Sequence, residues 1–158
     1  MRNLLLPLIN SARGLARALS LYAPYLGAGV RVDHISADFR EARVSMKLRW
    51  YNVNYVGTHF GGSLYAMTDP FYMLLLMRNL GPDYVVWDKA ASIDFVRPGR
   101  GRVTASFLLT DDMLSDVLQH TASGDKYTPT WPVEVIDEDG KLVARVEKTL
   151  YIRRKKSD

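Results

Sequence analysis

Apolar and polar residues alternate in several separate segments of the chain, which is the pattern of β-strands with one face in a core. The clearest segment is 42–50, where every second residue from Ala42 to Trp50 is apolar and the residues between are polar. The other predicted strands cover residues 30–39, with an irregularity near His34, and residues 91–96, 103–109, 131–136 and 142–152. The pattern therefore predicts about six strands, most of them antiparallel neighbours joined by turns.

A long helix is predicted between the second and third strands. Residues 61–80 are rich in Leu, Met, Phe and Tyr, with apolar residues on every side of a helical period. A helix that is apolar all round is a buried one, and a continuous helix over this segment is about 30 Å long. A shorter helix is expected after Asp111 and Asp112, whose carboxylates suit a helix N-terminus. The order of elements predicts an α+β fold in which a single sheet wraps round a buried helix.

The first part of the chain is predicted to be an appendage of this fold. Residues 8–22 place apolar side chains at helical spacing, with Arg13 and Arg17 between them, which is typical of an amphipathic helix. Packing on the body or on a partner subunit is the favoured interpretation, and attachment to a membrane surface is the alternative. We therefore expect a helical segment over 1–28, the main domain over 29–153 and a basic tail over 154–158.

Composition narrows the class of protein. The chain has 158 residues, no cysteine and three histidines, which fits one domain and excludes a disulfide scaffold, a cysteine-based zinc site and a cysteine nucleophile. The histidines are scattered, so no metal site is expected. The first segment lacks the apolar core of a secretory signal, and no apolar run approaches the ~20 residues of a membrane span. A cytoplasmic location without stable membrane insertion is the expectation.

The net charge of +4 is concentrated at the two ends of the chain. Charge bears on partners and not on fold. Proteins that bind nucleic acid usually carry a basic stripe through the folded body, whereas the middle of this chain is nearly balanced. No nucleic-acid partner is expected.

The segment before the predicted central helix carries the candidate chemistry. Gly61 and Gly62 at a helix start leave backbone N–H groups free at the positive end of the helix dipole, which suits an oxyanion. Asp69 lies seven residues after Gly62, two turns on and on the same face. A buried carboxylate is costly unless it is paired. Two interpretations are open: Asp69 is catalytic, or it caps a shorter helix that begins at Pro70.

Several motifs together resemble the hot-dog fold acyl-CoA thioesterases, in particular the phenylacetic-acid-pathway type. They are the loop Asn54-x-x-Gly57-Thr58-x-x-Gly61-Gly62 followed by Asp69, the segment Phe95-Val96-Arg97-Pro98-Gly99, and the start of the next strand at 101–105. Residues 57–62, 69–71, 139–141 and 148–151 are also similar to a bacterial branch of unknown function that is classed with the thioesterases. The resemblance covers about residues 25–153.

The resemblance implies a hot-dog fold and hydrolysis of a small or medium-chain acyl-CoA without metal or cofactor. It also implies a homodimer, or a dimer of dimers, with active sites at the subunit interface. Carried over by position, an N–H of Gly61 or Gly62 holds the thioester carbonyl. Asp69 activates water or attacks directly, and Asn54 helps orient the substrate.

One departure from the family pattern concerns a histidine. The usual His-Gly-Gly is Phe60-Gly61-Gly62 here, and His59 is displaced by one position, which leaves any catalytic role of His59 open. The expected substrate contacts around the helix start are Thr58, Phe60, Ser63, Tyr65 and Thr68. Arg97 and Arg100, in a turn with Arg102, are candidates for holding the CoA phosphates, and a solvated turn is the alternative.

Two other functions stay open. A hydratase or dehydratase of acyl thioesters needs a well-placed histidine beside the helix acid, and the displaced His59 argues against it. A non-catalytic acyl or CoA binder is compatible with the missing histidine and with the capping interpretation of Asp69.

Overall fold

The computed structural model describes residues 9–155, and most of this segment belongs to one seven-stranded antiparallel sheet with helices on it. In chain order the elements are α1 (Ala12–Ser20), α2 (Ala23–Ala28), β1 (Val30–Ile35), β2 (Glu41–Lys47), α3 (Gly61–Ala66), α4 (Phe71–Leu80), β3 (Tyr84–Phe95), β4 (Arg102–Leu108), α5 (Asp111–Thr121), β5 (Lys126–Tyr127), β6 (Thr130–Asp137) and β7 (Leu142–Arg154). The strand order is β1-β2-β4-β6-β7-β3, and β5 pairs with β7. The predicted α+β class with a single sheet is confirmed.

The predicted strands are present, with corrected limits. The irregularity near His34 is confirmed as a register shift between Val32 and His34 where β1 pairs with β2. The first two strands are shorter than predicted, because the chain turns after Ile35 and again after Lys47, and Trp50 is 88% exposed. β3 is longer than predicted, and β5 was not predicted.

The expectation of one continuous central helix is wrong. α3 ends at Ala66, and α4 begins at Phe71. Pro70, the N-cap residue of α4, has no N–H to continue a helical hydrogen-bond ladder. The carbonyl of Ala66 accepts a hydrogen bond from the Asp69 N–H instead (3.2 Å), and the Asp69–Pro70 peptide bond is cis. No side chain caps α4, so the capping interpretation of Asp69 is also wrong.

The N-terminal helices pack on the edge strand β1. Ala12, Leu15 and Ala16 of α1 are buried in the same core as the sheet, and the Ser20 hydroxyl accepts a hydrogen bond from the Val32 N–H (3.0 Å). The amphipathic helix predicted over 8–22 is confirmed as α1, although α1 ends at Ser20, and α2, which begins at Ala23 next to a proline, is a further helix beyond the predicted range. Residues 1–8 and 156–158, which include most of the predicted basic tail, lie outside the described part.

The core lies between α4 and the inner face of the sheet. Phe71, Leu75 and Leu76 of α4 are buried, and the ring of Phe71 packs against that of Phe107 with centroids 4.9 Å apart. The predicted helix after the two aspartates is α5, which is capped by the Thr110 hydroxyl. Within residues 9–155 no helix has the length and apolar character needed to cross a membrane.

Candidate active site

The glycine pair begins α3 and lies under two aromatic rings. The N-cap residue Phe60 makes no side-chain capping bond, and neither the Gly61 nor the Gly62 N–H has a hydrogen-bond partner within residues 9–155. A Cβ at Gly61 would come within 2.8 Å of Phe95 Cζ, and one at Gly62 would overlap the ring of Phe60. A side chain at either position would force one of these exposed rings to move, so glycine allows the rings to lie against the helix start. The start of α3 offers two free N–H groups beside an apolar surface.

Asn54 holds the loop that leads to the glycine pair. Its Oδ1 accepts hydrogen bonds from the N–H groups of Val56 (3.1 Å) and Thr58 (3.0 Å), and its Nδ2 donates to Thr58 Oγ1 (2.9 Å) and to the His59 carbonyl (3.2 Å). Gly57 has φ +79°, a left-handed conformation that favours glycine. Asn54 and the buried Thr58 thus shape the loop, and contact of either with a substrate stays a prediction.

His59 fastens this loop to the turn between β3 and β4. Its N–H donates to the Gly99 carbonyl (3.0 Å), and its Nε2 lies 3.1 Å from the Gly101 carbonyl oxygen. Burial lowers the pKa of His59, because a desolvated imidazolium is disfavoured, although the bond to Gly101 opposes this effect. Nε2 therefore donates as part of a neutral ring. The backbone N–H and the ring of His59 thus bind this turn, and the ring makes no hydrogen bond to Asp69.

Two open clefts lie beside the glycine pair. One, of about 400 Å³, is lined by Phe60, Gly62 and Ser63. The other, of about 410 Å³, is lined by Gly61, Leu64 and Phe95. Asp69 lines neither cleft, so neither of these two clefts joins the glycine pair to the carboxylate in a single chain.

Asp69 lies in the link between α3 and α4 and is fixed at both its backbone and its side chain. Its carbonyl accepts a hydrogen bond from the Tyr25 hydroxyl, and its Oδ1 accepts one from Lys148 Nζ (2.8 Å). The side chain of Asp69 is 46% exposed and lies beside the carboxyl of Asp88, and its Oδ2 accepts no hydrogen bond in the described part of the chain. The preceding Thr68 is fully buried, and its hydroxyl donates to the Tyr65 carbonyl (2.8 Å). One carboxylate oxygen is thus held, and the other is available.

Lys148 and Asp88 complete a charge cluster that the sequence analysis missed. Lys148 Nζ lies 3.1 Å from Asp88 Oδ1 and 5.4 Å from the ring centroid of Tyr65. Burial raises the pKa of Asp88, with a further rise from the charge of Asp69 that Lys148 opposes. Burial works to lower the pKa of Lys148, but the bond to Asp69 and the charges of both aspartates outweigh it, and the pKa is raised. Lys148 is thus a buried ammonium group that donates a hydrogen bond to Asp69 and forms an ion pair with Asp88, whose two buried oxygens accept no hydrogen bond within residues 9–155.

The arginines of the turn after β3 differ in their surroundings. Arg97 donates from Nε to the Leu142 carbonyl (2.8 Å) and pairs with Asp137. The pKa of Asp137 is lowered, first by the Lys141 N–H and then by Arg97. Arg102 donates to Ser45 Oγ (3.1 Å), whereas Arg100 is exposed. Arg97 therefore joins two turns, and a phosphate contact stays a prediction for both Arg97 and Arg100.

Comparison with protein families gives one match. The family model described as "Domain of unknown function (DUF4442)" matches residues 12–152. No curated protein sequence matches the chain.

The solved structures with the same fold include proteins named as thioesterases or probable thioesterases. The probable thioesterase PA5026 of Pseudomonas aeruginosa is 19% identical, with a TM-score of 0.75 over 89% of this chain and 94% of that one. Thioesterase HI1161 of Haemophilus influenzae is 15% identical, with a TM-score of 0.64 over 91% of each chain. The PaaI protein of the Escherichia coli phenylacetic acid degradation operon is 16% identical, with a TM-score of 0.57 over 89% of this chain and 90% of that one. At these identities the likeness confirms the predicted hot-dog fold.

Proposed function

The chain belongs to the DUF4442 family, and we propose that it hydrolyses the thioester bond of a small or medium-chain acyl-CoA. The observation that carries the proposal is the carboxylate of Asp69, which is partly exposed and whose Oδ1 is held by Lys148, while its Oδ2 accepts no hydrogen bond within residues 9–155. The free N–H groups at Gly61 and Gly62 supply a second element of such chemistry. The likeness of the fold to named thioesterases supports the same reaction.

The proposed reaction uses groups of this chain alone. Asp69 Oδ2 accepts a proton from a water molecule, whose oxygen adds to the thioester carbonyl carbon, or the carboxylate itself attacks that carbon. The negative charge that develops on the carbonyl oxygen is held by the N–H groups of Gly61 and Gly62. Collapse of the intermediate breaks the carbon–sulfur bond. The CoA thiolate leaves and takes up a proton, which in the water route comes from Asp69. In the direct-attack route the acyl group remains on Asp69 as an anhydride, and a water molecule then hydrolyses this anhydride to release the acid and restore the carboxylate.

Assembly of two copies is part of the proposal. Asp69 lines neither cleft beside the glycine pair, so we assign the complete site to the contact between two copies, in a dimer or a dimer of dimers. The glycine pair of one copy then faces the carboxylate of the second. The exposed Phe60 and the partly exposed Tyr65 are proposed acyl contacts, and the exposed Arg100 is the proposed contact of the CoA phosphates.

The test is turnover of a panel of acyl-CoA thioesters from acetyl to dodecanoyl, with thiol release as the readout. Asp69→Asn should reduce kcat/KM by about a hundredfold or more, which is the usual contribution of a general base. Asp112→Asn, in the exposed first turn of α5, is the matched control and should leave the rate unchanged.

Each alternative has its own outcome in this assay. Wild-type turnover by Asp69→Asn contradicts the mechanism. Tight binding of acyl-CoA with no turnover across the panel identifies a non-catalytic binder. Formation of an enoyl product from a 3-hydroxyacyl-CoA identifies a hydratase or dehydratase, which needs a histidine that the buried His59 does not supply.

A further inference from the structure

Lys148 occupies a position on the sheet where an apolar residue would be expected. It lies on the inner face of β7, between Val146 and Leu150, and all three residues are 0% exposed. Burying an ammonium group costs several kcal/mol before its partners offset the loss. Well-packed apolar residues often replace a buried ion pair with no loss of stability. Stability alone therefore gives little reason for a lysine at this position.

The groups around Lys148 come from three different elements. Asp69 lies in the link after α3, Asp88 lies on β3, and Tyr65 lies on α3. Nζ is 2.8 Å from Asp69 Oδ1 and 3.1 Å from Asp88 Oδ1, and it lies over the Tyr65 ring. The Tyr25 hydroxyl of α2 binds the Asp69 carbonyl, and Trp131 of β6 is the strand neighbour of Lys148.

The two aspartates differ in how far they reach solvent. The side chain of Asp69 is 46% exposed, whereas those of Asp88 and Lys148 are 16% and 1% exposed. The cluster thus has a closed end at Asp88 and an open end at Asp69. A substrate or a water molecule reaches the cluster at Asp69, while Lys148 lies behind it.

We infer that Lys148 is a positioning residue, which fixes one oxygen of Asp69 so that the other faces the reacting water, and that Asp88 holds Lys148 in place from behind. This inference rests on the proposed thioester hydrolysis. Without the ammonium group, the Asp69 carboxylate can turn about its side-chain bonds, and fewer of its orientations place Oδ2 for reaction. A misplacement of about 1 Å can cost a hundredfold in rate.

The first test removes the positive charge of Lys148 and keeps an unbranched side chain of similar length. Lys148→Met should lower kcat by about ten- to hundredfold with little change in KM, because the substrate does not touch Lys148. Lys141→Met, at an exposed lysine in the β6–β7 turn, is the matched control and should change neither constant. Asp88→Asn should lower kcat less than Lys148→Met, because the bond from Lys148 to Asp69 remains.

The absence of cysteine from the chain allows a sharper test. Lys148→Cys introduces a single thiol, which can be alkylated in denaturant before the protein is refolded. Alkylation with 2-bromoethylamine restores an ammonium group, whereas alkylation with iodoacetamide adds a neutral amide of similar length. We expect the aminoethyl protein to recover kcat and the amide protein to stay slow, at matched melting temperatures. A role in packing alone would give both proteins the same rate.

The outcomes separate this inference from the proposed function. If Asp69→Asn keeps turnover, the proposed mechanism fails. If Asp69→Asn is inactive but Lys148→Met and the amide protein keep wild-type kcat, only the positioning role of Lys148 is overturned. If Asp88→Asn lowers kcat as much as Lys148→Met does, the inference that Asp88 acts only through Lys148 is overturned. Should the cysteine variant not refold, Lys148→Arg keeps a cation: recovery of more than half of wild-type kcat supports the inference, and a rate equal to that of Lys148→Met contradicts it.

Discussion

His59 is a buried imidazole that fastens the loop before the glycine pair to the turn between β3 and β4. It is 2% exposed, and burial lowers its pKa, so the folded protein favours the neutral ring. The unfolded chain binds a proton to this histidine more readily than the folded protein does. The contribution of His59 to stability is therefore present above the unfolded pKa of about 6.5 and is lost as the pH falls below it.

His59→Gln should remove this pH dependence, because a glutamine side chain can donate to the Gly101 carbonyl but does not titrate. Between pH 7 and pH 5.5 the wild type should lose up to about 1 kcal/mol more unfolding free energy than the variant. Urea denaturation at the two pH values measures the difference. Equal losses in both proteins would show that His59 does not protonate on unfolding in this range.

Lys148 and Asp88 are site residues that the sequence did not predict. The alternation of β7 already places Lys148 in phase with Val146 and Leu150 on the inner face, so a lysine among buried residues was a usable signal. Its partners were not predictable, because Asp69 lies 79 residues away along the chain. Gly61, Gly62 and Asp69 were found by motif, whereas the partners of Arg97, Leu142 and Asp137, lie 45 and 40 residues away along the chain and no local pattern encodes them.

Among the secondary-structure elements, the division of the central helix decides where the candidate groups lie. α3 ends after six residues, and α4 begins only after Pro70, so Asp69 stands in a link between two helices. A carboxylate inside a continuous apolar helix would have been enclosed by the sheet. The link gives Asp69 access to solvent on one side and to Lys148 on the other.

Gly61→Ala tests the close contact at the start of α3. The new Cβ would come within 2.8 Å of Phe95 Cζ, and the exposed Phe95 ring must move. Because the ring is at the free end of its side chain, we expect little change in melting temperature. We expect kcat/KM to fall by about tenfold or more, since the ring moves into the cleft beside the glycine pair.

The double variant Gly61→Ala, Phe95→Leu provides the control for this effect. Leucine is shorter, so the added methyl group no longer meets a ring. If steric contact is the cause, the double variant should regain the activity of Phe95→Leu alone. A double variant as slow as Gly61→Ala would place the cause in the helix start itself.

The limits of β3 were mispredicted for a physical reason. The register with β7 shifts between Asp88 and Ala90, which changes the alternation phase within the strand. Val86 and Asp88 face the core before the shift, and Ala91 and Ile93 follow it in the opposite phase. A single period therefore fits only the second half. The break in the central helix was missed for a different reason. Apolar residues continue on both sides of Pro70, so composition predicts one helix, whereas the break arises because proline has no backbone N–H to continue the helical hydrogen bonds.

In the molecule as a whole, β3 is an edge strand whose inner face is partly uncovered. Ala91 pairs with Lys148 and so lies on the same face of the sheet, yet Ala91 is exposed, and Phe95 is 56% exposed. Within residues 9–155 the outer edge of this twelve-residue strand pairs with no other strand, and an unpaired edge favours pairing with a strand of another chain. The proposed second copy would cover this edge and bring its carboxylate towards the glycine pair.

Ala91→Arg should separate the copies, because it places a charged side chain on the uncovered face. We expect the wild type to sediment as a dimer or tetramer and the variant as a monomer with most activity lost. Ser92→Arg is the matched control: its side chain faces the opposite side, opposite Glu147, and should change neither property. A wild type that is monomeric and fully active would contradict the shared site.

β7 also determines when the site can form during protein synthesis. This strand lies between β6 and β3, and it is translated after both of them. A ribosome releases Asp69 and Asp88 long before Lys148, so both carboxylates emerge without the cation that later lies between them. About fifty residues separate the end of β3 from the start of β7, so β3 has no partner strand until they have been synthesised. The charge cluster of Asp69, Asp88 and Lys148 therefore forms late, when β7 takes its place between β6 and β3.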